Sequence, residues 1–142
     1  MGCAALTLAA LVVGYYAANE LSGIASSTRV VVFWIVAAAI AGPPLGLSAH
    51  WVRGGGPTAA AVGSGIPAGV LIGEGVYGLR YIADTTYRPF WWGEIVLGVA
   101  LLGVLGGIRL RSARRVALSL CVALAVSAAF VVIYSNGLIG LL

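Results

Sequence analysis

The chain has 142 residues, 61% hydrophobic and 8% charged, with a mean hydropathy of +1.07 and a formal net charge of +4 carried by arginine alone. Soluble domains carry roughly 25% charged residues, so a soluble fold of this size could not cover its surface, and the composition points to an integral membrane protein. No polar stretch exceeds about a dozen residues, far below the ~50 of a separate soluble domain, so residues 1–142 read as a single integral membrane domain.

A membrane span needs about 20 apolar residues. Five segments qualify in chain order, predicting an all-α polytopic membrane helix bundle with about five transmembrane helices. The first, residues 2–18, is short. It lacks the charged start of a signal peptide and is expected to stay as a span. Met1-Gly2-Cys3 fails the myristoylation pattern because position 6 is Leu. The second segment, residues 30–49, is interrupted by Pro43-Pro44, and the third, residues 58–79, contains Pro67. Proline removes a backbone donor and bends a helix, a feature also found at transporter binding sites. The fourth and fifth segments are residues 90–108 and 116–134. The apolar tail Leu138–Leu142 is expected to return to the interface.

Between the last two spans stand Arg109, Arg111, Arg114 and Arg115. Half of the chain's arginines thus fall in one short loop, which reads as a topology signal rather than a nucleic-acid surface. The positive-inside rule puts that loop in the cytoplasm. Counting back places the N-terminus inside and the C-terminus outside, in a multi-pass protein of the cell inner (plasma) membrane. Tyr15, Tyr16, Trp51, Tyr81, Tyr87, Trp91 and Trp92 fall at span ends, where aromatic rings anchor at headgroup level.

Glu74 lies within the third span, and an ionisable side chain there is a functional candidate by default. With this topology Glu20, Glu74, Asp84 and Glu94 all fall on the outer side. Glu74 lies roughly 9 Å below the end of its span and Glu94 roughly 6 Å into the next, at 1.5 Å per residue, so their depths allow contact. Tyr77 follows Glu74 by three residues and shares its helix face. Glu74, Tyr77 and Glu94 form a candidate ion or proton site, with Arg80 and Arg88 as candidate ion-pair partners at the rim. Gly65, Gly69 and Gly73 repeat every four residues and form a small-residue stripe suited to close helix packing, within one chain or between copies.

Other chemistry has little support. His50, beside Trp51, suits an interfacial role, and Cys3 and Cys121 lie far apart in apolar segments without metal-ligand spacing. The chain has no HExxH, GxSxG, GxxxxGK[ST] or CxxC pattern. Ser119 and Ser127 read as helix-contact residues. No metal, cofactor or catalytic residue is expected.

Several stretches together resemble an uncharacterised family of small actinobacterial integral membrane proteins, domain-of-unknown-function family 6518. They are Leu11-Val-Val-Gly14-Tyr15-Tyr16-Ala17, Phe33-Trp34, Ala41-Gly42-Pro43-Pro44-Leu45-Gly46, Leu71-Ile-Gly73-Glu74-Gly75-Val-Tyr77 and Trp92-Gly-Glu94-Ile-Val-Leu-Gly98. The resemblance implies membrane residence and carries no assigned activity or catalytic residue. Family members are expected to carry further spans before the Gly-Tyr-Tyr region, so it also implies a shortened form.

Three functional readings follow. The first is a non-enzymatic structural or accessory membrane component, whose partners are the lipid bilayer and a homo-oligomer or another membrane protein. The second is a small transporter or channel with Glu74 as a proton or cation site. The third, an intramembrane enzyme, would need a converging polar cluster that the spacing does not provide.

Overall fold

The computed structural model describes residues 2–23 and 28–135; for residues 2–5, 29, 30 and 33 it describes the backbone. The tail Leu138–Leu142 and residues 24–27 of the loop before the second span lie outside the described residues, as do the side chains of Cys3, Arg29 and Phe33. The described residues form five helices: α1 (Gly2–Leu21), α2 (Thr28–Gly54), α3 (Pro57–Tyr77), α4 (Arg88–Leu105) and α5 (Ala113–Ile133). α3 and α4 are each continued by one wider turn of π-helix, over Gly78–Ile82 and Gly106–Leu110. Four stretches are long and apolar enough to cross a membrane: Trp34–Gly54, Pro57–Ile82, Arg88–Leu110 and Ala113–Ile133. The apolar stretch Leu6–Leu21 of α1 is shorter.

The chain divides into two compact units, parted within α2 between Leu47 and Ser48. In the first, α1 exposes Leu6, Leu11, Val13, Tyr15 and Leu21, while Tyr15 and Tyr16 meet edge to face at 5.4 Å. α2 remains helical through Pro43 and Pro44. It exposes Val32, Trp34, Val36 and Ile40 and buries Ala38 and Gly42. Apolar side chains turned outward suit a lipid solvent, where backbone groups must pair within the helix.

In the second unit α3 is the central element. Both α4 and α5 pack on it rather than chiefly on each other. Composition explains the choice: α3 is built largely of Gly and Ala, so neighbouring backbones come close, and in lipid that van der Waals contact drives association. Pro67 lies inside α3 and the helix continues through it. Gly56 in extended conformation and Pro57 in the first turn start α3, since Pro is tolerated where no intrahelical donor is needed. The core of this unit is Ala60, Ala61 and Leu110, with Val116 and Leu118 packed against them.

One contact holds the last turn of α2 to the turn between α4 and α5. Arg109 Nε donates to the Val52 carbonyl at 3.0 Å, and its Nη2 donates to the Arg53 carbonyl. A cation there satisfies the orphan carbonyls at a helix C-terminus and opposes the negative end of its dipole. Arg53 and the four arginines of the α4–α5 turn therefore share one end of this unit. Arg80, Asp84 and Arg88 lie at the other, around the α3–α4 turn.

Candidate carboxylate and tyrosine cluster

Two seams position the candidate site. Along the first, a Cβ added at Gly65 would lie 2.6 Å from the Ser119 carbonyl oxygen, and one at Gly69 would lie 2.6 Å from that of Ala123. One at Gly73 would meet Phe130 Cβ at 2.9 Å and Ser127 Cα at 3.0 Å. The three glycines thus face α5 at distances no side chain permits. Beside them Ser64 and Ser119, both buried, share a hydrogen bond at 2.8 Å, and Ser64 also donates to Ala61 O at 3.0 Å.

The second seam joins α3 to α4. A Cβ at Gly75 would lie 2.6 Å from Ile95 Cγ1 and 2.7 Å from Trp91 O, and one at Gly78 would enter the Trp91 indole. From the α4 side, a Cβ at Gly98 would meet Ile72 Cγ1 at 2.8 Å and Ala68 O at 3.0 Å. Trp91 is held by Nε1 donating to Thr86 Oγ1 at 2.8 Å and by an edge-to-face contact with Phe90 at 5.0 Å.

Glu74 leaves α3 at the upper end of both seams. It is half-buried and lies near Glu94 of α4 and Tyr134, the residue that ends α5. Tyr77, 7% exposed, meets the Tyr134 ring at 5.6 Å. Tyr81 lies 5.1 Å from Tyr77, and Phe130 stacks on Tyr134 at 4.3 Å. One carboxyl oxygen of Glu94, Oε2, is buried with no hydrogen-bond partner among the described residues. The structure thus brings Glu74, Tyr77 and Glu94 together and adds Tyr134.

Arg80 and Arg88 are both exposed. The Arg80 guanidinium lies 5.9 Å from the centre of the Tyr81 ring. Among the described residues neither arginine forms an ion pair with Glu74 or Glu94. Tyr134 had no assigned role in the sequence beyond closing a span. The usable signal was topological: α3 and α5 cross in the same direction, so their C-terminal ends share a level. Two carboxyls and two phenols are residue types that exchange protons or offer oxygen to hard cations. Among the described residues no three His, Cys, Asp or Glu side chains are grouped to hold a metal ion.

No curated protein and no solved structure matches this chain. The family of unknown function DUF6518 matches residues 1–139, nearly the whole chain, including both seams and the glutamate pair. The chain belongs to the family of unknown function DUF6518.

Proposed function

We propose that this protein is a non-enzymatic structural or accessory component of the cell inner membrane. Its N-terminus faces the cytoplasm, its C-terminus faces outside, and its partner is a second copy or another membrane protein. One observation carries the reading: α3 approaches α5 at backbone distance over three successive turns at Gly65, Gly69 and Gly73. A seam of that kind favours a fixed bundle over helices that move apart in a transport cycle. The orientation is supported by the arginines gathered at the end of the bundle where α4 turns into α5. Vesicles reconstituted with the protein should show the same proton and cation flux with Glu74→Gln as with the parent chain. A flux that the parent supports and Glu74→Gln loses, at unchanged helicity, would overturn the reading. Reporter fusions at the C-terminus should be active only outside the cell.

A second reading has its own observation. Among the described residues Glu94 Oε2 is buried without a hydrogen-bond partner, next to Glu74, with Tyr77 and Tyr134 alongside. Buried polar atoms are normally paired, and intramembrane carboxylates serve proton relays. The alternative is a small transporter or channel with Glu74 as its proton or cation site, and the same flux measurement decides between the two.

A further inference from the structure

We propose that the face between α4 and α5 binds one anionic phospholipid, with an acyl chain in the groove between the helices and the phosphate on Arg111 and Arg114. The proposal requires a protein embedded in a membrane but neither of the functional readings above.

The groove exists because α4 and α5 both pack on α3 and leave space between themselves. Its volume is about 480 Å³, and Ile72, Val99, Leu102, Leu120 and Leu124 are among the side chains that line it. Apart from Ser119, whose hydroxyl is already bonded to Ser64, the lining is apolar or glycine. Gly103 lies on its wall, and a Cβ added there would meet nothing within 4 Å. The seam glycines are crowded by backbone, whereas Gly103 borders open space. An apolar slot of this kind on a membrane protein suits a lipid tail.

Charge selects the headgroup. Leu110 and Val116 both line the groove, and the residues between them, the turn and the first turn of α5, carry Arg111, Arg114 and Arg115. The groove therefore ends at the basic turn. Two arginines of that end are committed: Arg109 to the end of α2, and Arg115 Nη1 to the Leu110 carbonyl at 3.3 Å. Arg111 and Arg114 are exposed, and neither forms a side-chain hydrogen bond or ion pair among the described residues. Arg111 also holds a left-handed backbone, φ 43°, where Gly or Asn is usual. The acids of this unit, Glu74, Asp84 and Glu94, all belong to the opposite end and leave the arginines unneutralised. Basic positions beside grooves between membrane helices are where anionic headgroups bind.

Native mass spectrometry of the full chain in detergent, titrated with phosphatidylglycerol or phosphatidylcholine of identical acyl chains, tests the proposal. Each surface arginine contributes roughly fivefold in attraction to an anionic lipid, so the pair predicts retention of phosphatidylglycerol with roughly 25-fold preference. Arg111→Asn with Arg114→Gln should bring the two lipids to parity, and Asn keeps the left-handed turn accessible. Gly103→Leu should reduce retention of both lipids at unchanged helicity; should it fail to fold, Leu124→Phe fills the same groove. Arg80→Gln with Arg88→Gln should leave the preference intact. A preference that survives the Arg111 and Arg114 substitutions, or disappears equally with those at Arg80 and Arg88, would overturn the proposal. Displacement of the lipid by inorganic phosphate would overturn it in favour of a free-anion site, and dimers forming in place of lipid adducts would overturn it in favour of a second copy.

Discussion

The two seams of α3 use glycine for different ends. Against α5 the repeat is regular, at Gly65, Gly69 and Gly73, and each glycine meets the backbone of a small buried residue, Ser119, Ala123 or Ser127, flanked by the Cβ of Val122, Val126 or Phe130. Against α4 the spacing is irregular, at Gly75 and Gly78, and the partners are large, Ile95 and Trp91. Glu74 stands where both seams end, and Glu94 meets it from the α4 side, where α3 gives way to a π turn. π turns within helices often accompany functional sites. A repeat of four residues sets helix backbone against helix backbone, and departure from it sets α3 against the larger side chains of Ile95 and Trp91.

The largest expected effect tests the regular seam. Gly69→Leu sets a side chain where a Cβ alone would lie 2.6 Å from Ala123 O and 2.7 Å from Val126 Cβ. Backbone cannot give way cheaply, so the loss should be roughly 3 kcal/mol or more. Thermal or denaturant unfolding in detergent measures it, with Gly93→Leu on open α4 surface as the control that should unfold like the parent. Equal losses at Gly69 and Gly93 would mean that glycine matters here through the helix itself rather than through the seam.

At the irregular seam, Gly78→Ala places a methyl group in the Trp91 indole, which must rotate away. Side chains yield more readily than backbone, so the expected cost is smaller, about 2 kcal/mol. The rotation would also break the Trp91–Thr86 hydrogen bond. Among the chain's four tryptophans, a shift in Trp91 emission, assigned with a Trp91→Phe reference, is the specific readout. An unchanged spectrum would show that the indole does not hold this position.

Much of this was legible in the sequence. The helices follow from composition alone, since nothing but a helix or a closed barrel satisfies backbone groups in lipid. The close approach of α3 is visible in Gly65, Gly69 and Gly73, because residues four apart share a helix face. Glu74, Tyr77 and Glu94 were found from depth and neighbourhood. What could not be read is which helix each face meets. Spacing does not distinguish α5 from α4 as the partner of the glycine stripe, and for that reason Tyr134 stayed invisible as a neighbour of Glu74. Arg109 was read as a charge marking topology, yet its guanidinium also caps α2, a contact across more than fifty residues that no local pattern encodes.

Glu94 separates packing from function at the irregular seam. Its Oε2 is buried without a hydrogen-bond partner among the described residues, and leaving such an atom unpaired costs about 1 kcal/mol or more. Glu94→Met keeps the length and removes the polar atoms, so the variant should be more stable than the parent by about 1 kcal/mol. Stabilisation is the expected sign where a residue is kept for something other than the fold. A destabilised Glu94→Met would instead make the carboxyl part of the α3–α4 contact and weaken the transport reading.

The smallest effect lies back at the regular seam, in a polar bridge between its helices. The Ser64 and Ser119 hydroxyls are 2.8 Å apart, and both residues are buried. In water-soluble cores the loss of one partner would strand the other, but a serine on a helix can fall back on a carbonyl of its own preceding turn. Ser64 already does so through Ala61 O. Ser119→Ala should therefore cost only about 0.6 kcal/mol, typical of hydrogen bonds between membrane helices. Adding Ser64→Ala should cost little more, because the interaction is already gone. A double-mutant cycle reads the coupling directly. A coupling well above that value would make the serine pair, and not the glycine repeat, the feature that holds α5 in register; near-zero coupling would leave van der Waals contact at the glycines as the whole of the seam's specificity.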